Sequence, residues 1–299
     1  MQYLIDASVY VFRAYYSMPD DMVDRDGNPV NALYGFCRFL GDFVERVKPD
    51  HLAVCFDESL ATSFRNDIYP QYKANRDPAP EDLERQFHQC RRYTRSMGIM
   101  ELASPVYEAD DLIGTLVEHG RRQGRPSTIV SRDKDLAQLL GRQDVFWDFS
   151  GRGKIYYDQV SEVFGVRPEQ IADFLALAGD AVDNIPGVPG VGKKTAAALL
   201  DHFGSLDEIY SNLDRVHEVT VRGAKTLGGK LERHTDDAMI ARKLTGIACD
   251  APIDDPEPLL RPANPRLGDV NALFDEADIG TALRRQAERV ADVIVDRGL

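Results

Sequence analysis

The sequence has no Cys-x-x-Cys pair, no long apolar run and no excess of positive charge, and each absence removes a class of protein. Its four cysteines, Cys37, Cys55, Cys90 and Cys249, are scattered among 299 residues with no His pair nearby. A disulfide framework and a thiolate zinc site are therefore not indicated, and the cysteines read as reduced packing residues. No stretch reaches the ~18 apolar residues that span a bilayer, which excludes a membrane helix. Met1 leads directly into Tyr3-Leu4-Ile5 without a basic segment or a signal-type apolar core, so a cytoplasmic location with no membrane partner is expected. Low-complexity segments and internal repeats are also missing. A hydrophobic content of 43% with 28% charged residues excludes the disordered and fibrous classes. At ~100 to 200 residues per domain, the length fits two domains, or one with a satellite.

The charge balance of 36 Lys plus Arg against 49 Asp plus Glu, net −13, looks hostile to nucleic acid. Phosphate binding depends on where positive charge sits rather than on its sum. Residues 85–95 carry Arg85, Arg91, Arg92 and Arg95 with no acid, and residues 215–233 carry Arg215, Arg222, Lys225, Lys230 and Arg233 against Glu218 and Glu232. Basic patches are expected inside an acidic whole. The last fifty or so residues read as an ordinary solvated tail.

Up to about residue 157, short apolar runs alternate with amphipathic stretches. Residues 2–5, 51–56, 99–102, 127–130 and 145–149 read as strands. Residues 30–47 place Leu33, Phe36, Cys37, Leu40, Phe43, Val44 and Val47 on one helical face. This alternation predicts an α/β core, residues 1–157, with a mainly parallel sheet flanked by helices. Ligands of such sheets bind beyond the carboxyl ends of the strands. Residues 158–250 read as helices only, followed by a tail and helix over 251–299. No low-complexity linker divides these parts, so they are expected to pack together. The stretch 69–95 is too long and polar for a simple crossover, and Pro78 and Pro80 break it.

Acids recur at corresponding places. Asp6 and Asp57 end the first two strands, Glu108, Asp110 and Asp111 open the helix after the third, and Asp133 and Asp135 follow the fourth. Asp180 and Asp183 lie in a loop of the helical region. Singly, each is most simply a cap or turn residue. Jointly, acids at strand end after strand end converge on one edge of a parallel sheet, where they cannot all ionise without cations. An all-carboxylate set without His or Cys suits Mg2+ or Mn2+, and two such ions ~4 Å apart can activate water and steady a leaving oxygen at a phosphodiester.

Residues 184–196 join two helices through Gly187, Val188, Gly190, Gly192, Lys193, Lys194 and Thr195. A phosphate-binding P-loop requires Ser or Thr where Lys194 stands, and a preceding strand where residues 174–178 look helical. The spacing instead suggests a helix-hairpin-helix over about 180–203, whose glycines let backbone N–H groups approach a DNA phosphate. Lys193 and Lys194 add charge for binding that is independent of base sequence.

The segments Leu4-Ile5-Asp6-Ala7-Ser8, Phe56-Asp57, Tyr72-Lys73-Ala74-Asn75-Arg76, Glu108-Ala109-Asp110-Asp111, Asp133-Lys134-Asp135 and residues 179–196 occur in the order found in the 5′-nuclease domain of bacterial DNA polymerase I, of the flap endonuclease family. The resemblance runs from about residue 3 to 247. It implies a PIN-like nuclease core and a metal-dependent 5′ to 3′ exonuclease and flap endonuclease. It implies further that all the acids above serve two Mg2+ or Mn2+ ions, directly or through water, and that about 69–97 forms a helical arch over the cleft. By the same resemblance Lys73 and Arg76 act on the scissile phosphate, Arg13 contacts phosphate, and the hairpin holds K+. The implied partner is DNA with a 5′ flap or a 5′ single-stranded end, bound by a monomer that stands free of polymerase domains. Tyr72 reads equally as a stacking platform for an unpaired base or as a packing anchor, and Arg13 equally as an ion-pair partner. Four positions depart from the family pattern: Ala7 and Arg132 each stand where Gly is common, and Ala181-Val182 replace a Ser pair. Arg132 is expected to pair with Asp133 or to contact DNA. A noncatalytic junction binder and an RNA-cleaving PIN-type nuclease remain as rivals. The full acid set speaks against the first, and the hairpin against the second.

Overall fold

Successive residues of a strand point to opposite faces, and the apolar residues of the inner strands alternate accordingly. In the computed structural model, which describes residues 1–58, 62–151 and 153–296, Leu4 faces one core and Ile5 the other. Likewise Ala53 and Cys55 separate from Leu52, Val54 and Phe56. Burial on both faces is the environment of a parallel sheet covered by helices. Its strands are β1 (Gln2–Asp6), β2 (Leu52–Asp57), β3 (Met100–Ser104), β4 (Ser127–Val130), β5 (Val145–Asp148) and β6 (Gly153–Tyr156), in the order β3-β2-β1-β4-β5-β6. Strands β1 to β5 pair in parallel and β6 pairs antiparallel with β5. The five expected strands are present; β6 was not read, because its Gly153-Lys154-Ile155-Tyr156 offers one buried apolar residue and no run. The strand order reverses direction between β1 and β4, the point of such a sheet whose carboxyl ends face a ligand crevice.

The α-helices are α1 (Ala7–Ser17), α2 (Asn31–Val47), α3 (Phe64–Ile68), α4 (Glu81–Ser96), α5 (Ala109–Arg122), α6 (Val160–Phe164), α7 (Ile171–Ala178) and α8 (Lys193–Phe203). They continue with α9 (Leu206–Ser211), α10 (Ala224–Arg233), α11 (Thr235–Thr245), α12 (Glu257–Leu260), α13 (Leu267–Glu276) and α14 (Thr281–Val295). Helix α5 covers one face of the sheet, and α7, α8 and α11 share its apolar core. The opposite face is covered by α1, α2 and α4.

Two expectations change here. Of the stretch assigned to an arch, residues 81–96 form α4, whose Leu83, Cys90 and Tyr93 are buried against α2 and the sheet. Its arginines are already matched. Arg91 pairs with Glu101 and Glu58, Arg92 with Glu276, Arg95 with Glu101 at 2.8 Å, and Arg85 donates to the Pro29 carbonyl, so the run is no patch for phosphate. The tail is not merely solvated either. Leu283, Ala287, Val290 and Ile294 repeat at helical spacing and bury one face of α14, while Phe274 of α13 stacks on Tyr93 at 5.7 Å. Its many charges lie on the outer faces.

The core on the α2 side rests on Phe36, which is fully buried with its ring 5.6 Å from that of Phe56. Phe36→Ala is expected to cost about 3–5 kcal/mol, read as a lower urea midpoint at unchanged slope. A loss under about 1 kcal/mol would mean the helix layer repacks over the gap.

Candidate metal centre and nucleic-acid interface

Parallel pairing sets the ends of neighbouring strands side by side, so the sheet delivers Asp6, Asp57, the β3–α5 loop and the segment after β4 to one edge. Asp6 is 3% exposed and accepts a 2.7 Å hydrogen bond from Ser131 just beyond β4. Asp57 Oδ1 accepts from the Ala109 N–H at the start of α5, which aligns the end of β2 with that helix. Glu108 is the N-cap of α5, and Asp110 lies in its first turn. Asp133 caps a short 3-10 helix (Lys134–Leu139) that begins with Asp135 in its first turn.

Several of these acids are shifted from their ordinary ionisation. Burial, with repulsion from Asp57 and Asp133, pushes Asp6 up to about 7. Burial, then Asp133, Asp6, Asp57 and Glu108, hold Asp110 well above the usual carboxylate range. Burial with repulsion from Asp133 and Asp180 brings Asp135 up to about 7, and Asp183 is also raised, by burial and by Asp180. Glu108 moves the other way. Burial alone would raise it, but Lys73 and Arg65 draw it below the ordinary value. Lys73 Nζ lies 2.7 Å from Glu108 Oε2 and 3.8 Å from Asp183 Oδ2, and Arg76 pairs with Asp183.

The structure thus gathers Asp6, Asp57, Glu108, Asp110 and Asp133 into one group and Asp135, Asp180 and Asp183 into a second, joined through Asp133 and Glu108. Among the described residues no three Asp, Glu, His or Cys side chains are drawn into a ligating shell, so the acids are neighbours rather than in contact. The donor set nevertheless fits hard divalent cations. All its atoms are oxygens, burial and repulsion outweigh the favourable contacts at Asp6, Asp110 and Asp135, and Glu108 Oε1 is buried with no hydrogen-bond partner among the described residues. Asp111, expected in the same set, faces Arg65. It is fully buried, and Arg65 holds it through two hydrogen bonds of 2.7 and 2.8 Å.

Tyr72 is corrected in the same way. It is 3% exposed, with its hydroxyl 3.2 Å from both Glu108 and Asp183, so it anchors the turn and presents no ring to a base. That turn is docked on the helical region: the Lys73 N–H donates to the Asp183 carbonyl at 3.0 Å, Asn75 to the Ala181 carbonyl and Asn184 to the Gln71 carbonyl. Lys73 itself has φ of +54°, a left-handed kink that aims it back into the cleft. Arg132 is 3.7 Å from Asp148, and not paired with Asp133. Arg13, on α1, is exposed and makes no ion pair among the described residues.

The hairpin begins where α7 ends at Gly179, with φ of +78°. Asp180 and Ile185 exchange backbone hydrogen bonds of 2.9 and 2.8 Å, and the Val188 N–H returns to the Leu177 carbonyl. Gly187 sits so tightly on the end of α7 that a Cβ would overlap the backbone of Leu177, Ala178 and Gly179. Val188 is buried, whereas Gly190, Gly192, Lys193 and Lys194 are exposed at the start of α8, with Thr195 half-buried. The N–H groups of Gly190, Gly192, Lys193 and Lys194 meet no acceptor among the described residues, and the helix dipole adds a positive end there. Lys230 of α10 brings its Nζ beside Gly190, which makes it a third cation at the hairpin. The basic count of residues 215–233 signalled this segment but not which of its side chains reaches the hairpin.

The family described as 5'-3' exonuclease, N-terminal resolvase-like domain, matches residues 1–165, and the 5'-3' exonuclease, C-terminal SAM fold, matches residues 166–266. The chain is 38% identical over 276 residues to DNA polymerase I of Pseudomonas aeruginosa, covering 92% of this chain and 30% of that protein. It therefore spans less than a third of the length of that relative. It is 34% identical to a 5'-3' exonuclease of Buchnera aphidicola, covering 84% of this chain and 87% of the relative. Among solved structures it is similar to a T5 5'-exonuclease with bound zinc (TM-score 0.66, 18% identity, 98% of this chain and 99% of that one). It is also similar to the catalytic core of Rad2 in complex with a DNA substrate (TM-score 0.63, 14% identity, 98% and 92%). These likenesses to T5 exonuclease and Rad2 concern the fold.

The raised carboxylates set a pH dependence. A group protonated more readily when folded holds more protons than in the unfolded chain, so stability falls as pH rises from the unfolded pKa through the folded one. For Asp6 and Asp135 that window runs from 3.8 to about 7. Metal-free protein is expected to lose thermal stability from pH 5 to pH 8, and Mg2+ or Mn2+ to restore more at pH 8 than at pH 6, because ligands bind deprotonated. A thermal shift with Mn2+ that is equal at both pH values would separate these carboxylates from any ion.

Proposed function

The chain belongs to the 5'-3' exonuclease family, and on that premise we propose that it is a metal-dependent 5′-nuclease that hydrolyses DNA phosphodiesters near junctions of single strand and duplex, as exonuclease and as flap endonuclease. The observation that carries this reading is a buried carboxylate cleft with an unpartnered Glu108 oxygen, flanked by Lys73 and Arg76 and tied directly to a hairpin with open N–H groups.

Asp6, Asp57, Glu108, Asp110, Asp133, Asp135, Asp180 and Asp183 would hold two Mg2+ or Mn2+ ions. Bound there, such ions supply a water ionised near neutral pH and relief of charge on the leaving oxygen. The chain's own residues provide the rest. Lys73 stays protonated, because although burial alone would lower its pKa, Glu108 and Asp183 raise it further. Together with Arg76 it places fixed positive charge against the phosphoryl oxygens, where charge develops during hydrolysis. Ser131 orients the Asp6 carboxylate, and the Tyr72 hydroxyl orients those of Glu108 and Asp183. The kinked turn of Lys73 and Arg76 rests on residues 181–184, so duplex held at the hairpin is set in register with the cleft.

Duplex phosphates approach the N–H groups of Gly190, Gly192, Lys193 and Lys194, with the side chains of Lys193, Lys194 and Lys230 adding charge. Arg13, exposed on α1, meets phosphate on the single-strand side. A K+ ion on the hairpin carbonyls would complete the duplex contact. Among the described residues no helix is long and apolar enough to cross a membrane, in keeping with a nuclease that acts as a soluble monomer in the cytoplasm.

A labelled 5′-flap DNA is expected to be cut with Mg2+ or Mn2+ and left intact with EDTA. Asp110→Ala should lower cutting by at least roughly 10²-fold while the flap still binds. An uncut flap under every metal condition leaves a noncatalytic junction binder as the better account. Lys193→Ala with Lys194→Ala is expected to weaken duplex binding and to reduce its salt slope by about 2; an unchanged slope would put the duplex on another face.

A further inference from the structure

We infer that Asp111 and Arg65 form a buried positioning strut that sets the Lys73 turn against the acid-bearing start of α5, and that Asp111 does not hold metal. The inference rests on the nuclease reading for its kinetics, but not for its other measurements.

Each carboxylate oxygen has about two acceptor sites, roughly four in all. In Asp111 they are all in use. Oδ1 accepts from Arg65 Nη2 at 2.8 Å and from the Ala248 N–H at 2.8 Å, while Oδ2 accepts from Arg65 Nη1 at 2.7 Å and from the Glu108 N–H at 3.0 Å. Asp111 is fully buried, so neither water nor an ion replaces one of these partners without breaking the fold locally. Glu108, three residues earlier, is the opposite case, with a buried oxygen that has no partner. Two acids of one helix turn have thus divided the work, one facing the cleft and one facing the protein.

Arg65 is equally engaged. It is 3% exposed, its Nε donates to the Leu244 carbonyl at 2.9 Å, and its Nη2 donates to the Gly246 carbonyl at 2.8 Å as well as to Asp111. Its guanidinium lies over the Phe64 ring at 4.6 Å. One planar fork therefore joins α3, the first turn of α5 and the end of α11. Lys does not reproduce this, since an ammonium lacks the paired parallel donors. From α3 the chain runs through Tyr69 into the turn that carries Lys73 and Arg76, and from Asp111 it runs back to Asp110 and Glu108. The distance between Lys73 and Glu108 is thus fixed at its two ends by a single ion pair. An apolar pair would serve stability about as well, so what the ion pair adds is geometry.

The test uses Arg65→Gln, Arg65→Lys, Asp111→Asn and the double variant Arg65→Gln with Asp111→Asn, beside Asp110→Asn, all in the full chain. Mn2+ binding to metal-free protein is measured by electron paramagnetic resonance, thermal unfolding by calorimetry, and flap cleavage under saturating metal. Asp111→Asn and Arg65→Gln should keep the wild-type Mn2+ stoichiometry, which Asp110→Asn should lower. Each should lower kcat by about 10²-fold with KM within about threefold, as expected for misplaced rather than missing contacts. The double variant should be no worse than either single one in kcat and in Tm, because the two side chains act as one unit. A loss of Mn2+ in Asp111→Asn that Arg65→Gln does not share would make Asp111 a ligand and overturn the proposal. Additive losses in the double variant would overturn it too. Should Arg65→Gln fail to fold, Arg65→Lys keeps the charge and carries the same comparison. A wild-type protein that bound Mn2+ but cut no flap would defeat the nuclease reading alone, leaving the stoichiometry and the unfolding cycle to decide the strut.

Discussion

Mutual repulsion among carboxylates at one sheet edge is the constraint on which the site depends. Asp6, Asp110 and Asp135 are held away from their ordinary ionisation by burial and by neighbouring carboxylates, Asp133 being common to all three, and the fold tolerates this because it is stable elsewhere. Two buried apolar layers, one on each face of the sheet, offset the repulsion. Proteins keep unfavourable charge where it is used, and here the cost falls on the crevice where the strand order reverses.

Cations of the chain meet part of that charge. Lys73 and Arg76 lie against Glu108 and Asp183, so beside the carboxylates proposed to hold metal the cleft keeps the positive charge that a phosphate would meet. The Lys73 turn is bonded to the Asp183 loop, and the Asp183 loop opens the hairpin, so the cleft and the duplex-facing surface are mechanically one object. Arg65 and Asp111 extend the same continuity to the end of α11. A basic surface on an acidic protein then poses no paradox. Negative charge is concentrated inside the cleft and on α13, whereas Lys193, Lys194 and Lys230 stand together at the hairpin.

Much of this was legible in order along the chain. Strand runs ending in Asp6 and Asp57, the acids that open α5 and the glycine spacing of residues 184–196 all rest on short-range rules of periodicity, capping and turn chemistry, which a linear sequence displays. The acids at Asp180 and Asp183 were placed near the others by their pattern, and they do couple to Asp135 and Glu108. What misled the reading was charge. The arginines of α4 looked like an open patch, yet Glu101 on the next strand and Glu276, distant in sequence, pair with Arg91, Arg92 and Arg95. The last helices looked solvated because polar residues outnumber apolar ones, although their spacing buries one face.

By itself, then, the sequence determined that carboxylates recur at the carboxyl ends of parallel strands and that a glycine hairpin with two lysines opens a helix. Those features are local, and the regularity of a parallel sheet carries them into space. Only the tertiary structure decided that Asp111 turns inward to Arg65 while Glu108 and Asp110 turn to the cleft, that Tyr72 is an anchor, and that Lys230 joins the hairpin. A carboxylate's role is set by which donors surround it, and donors from Arg65 of α3 and from the Ala248 N–H reach Asp111 only after the chain has closed on itself.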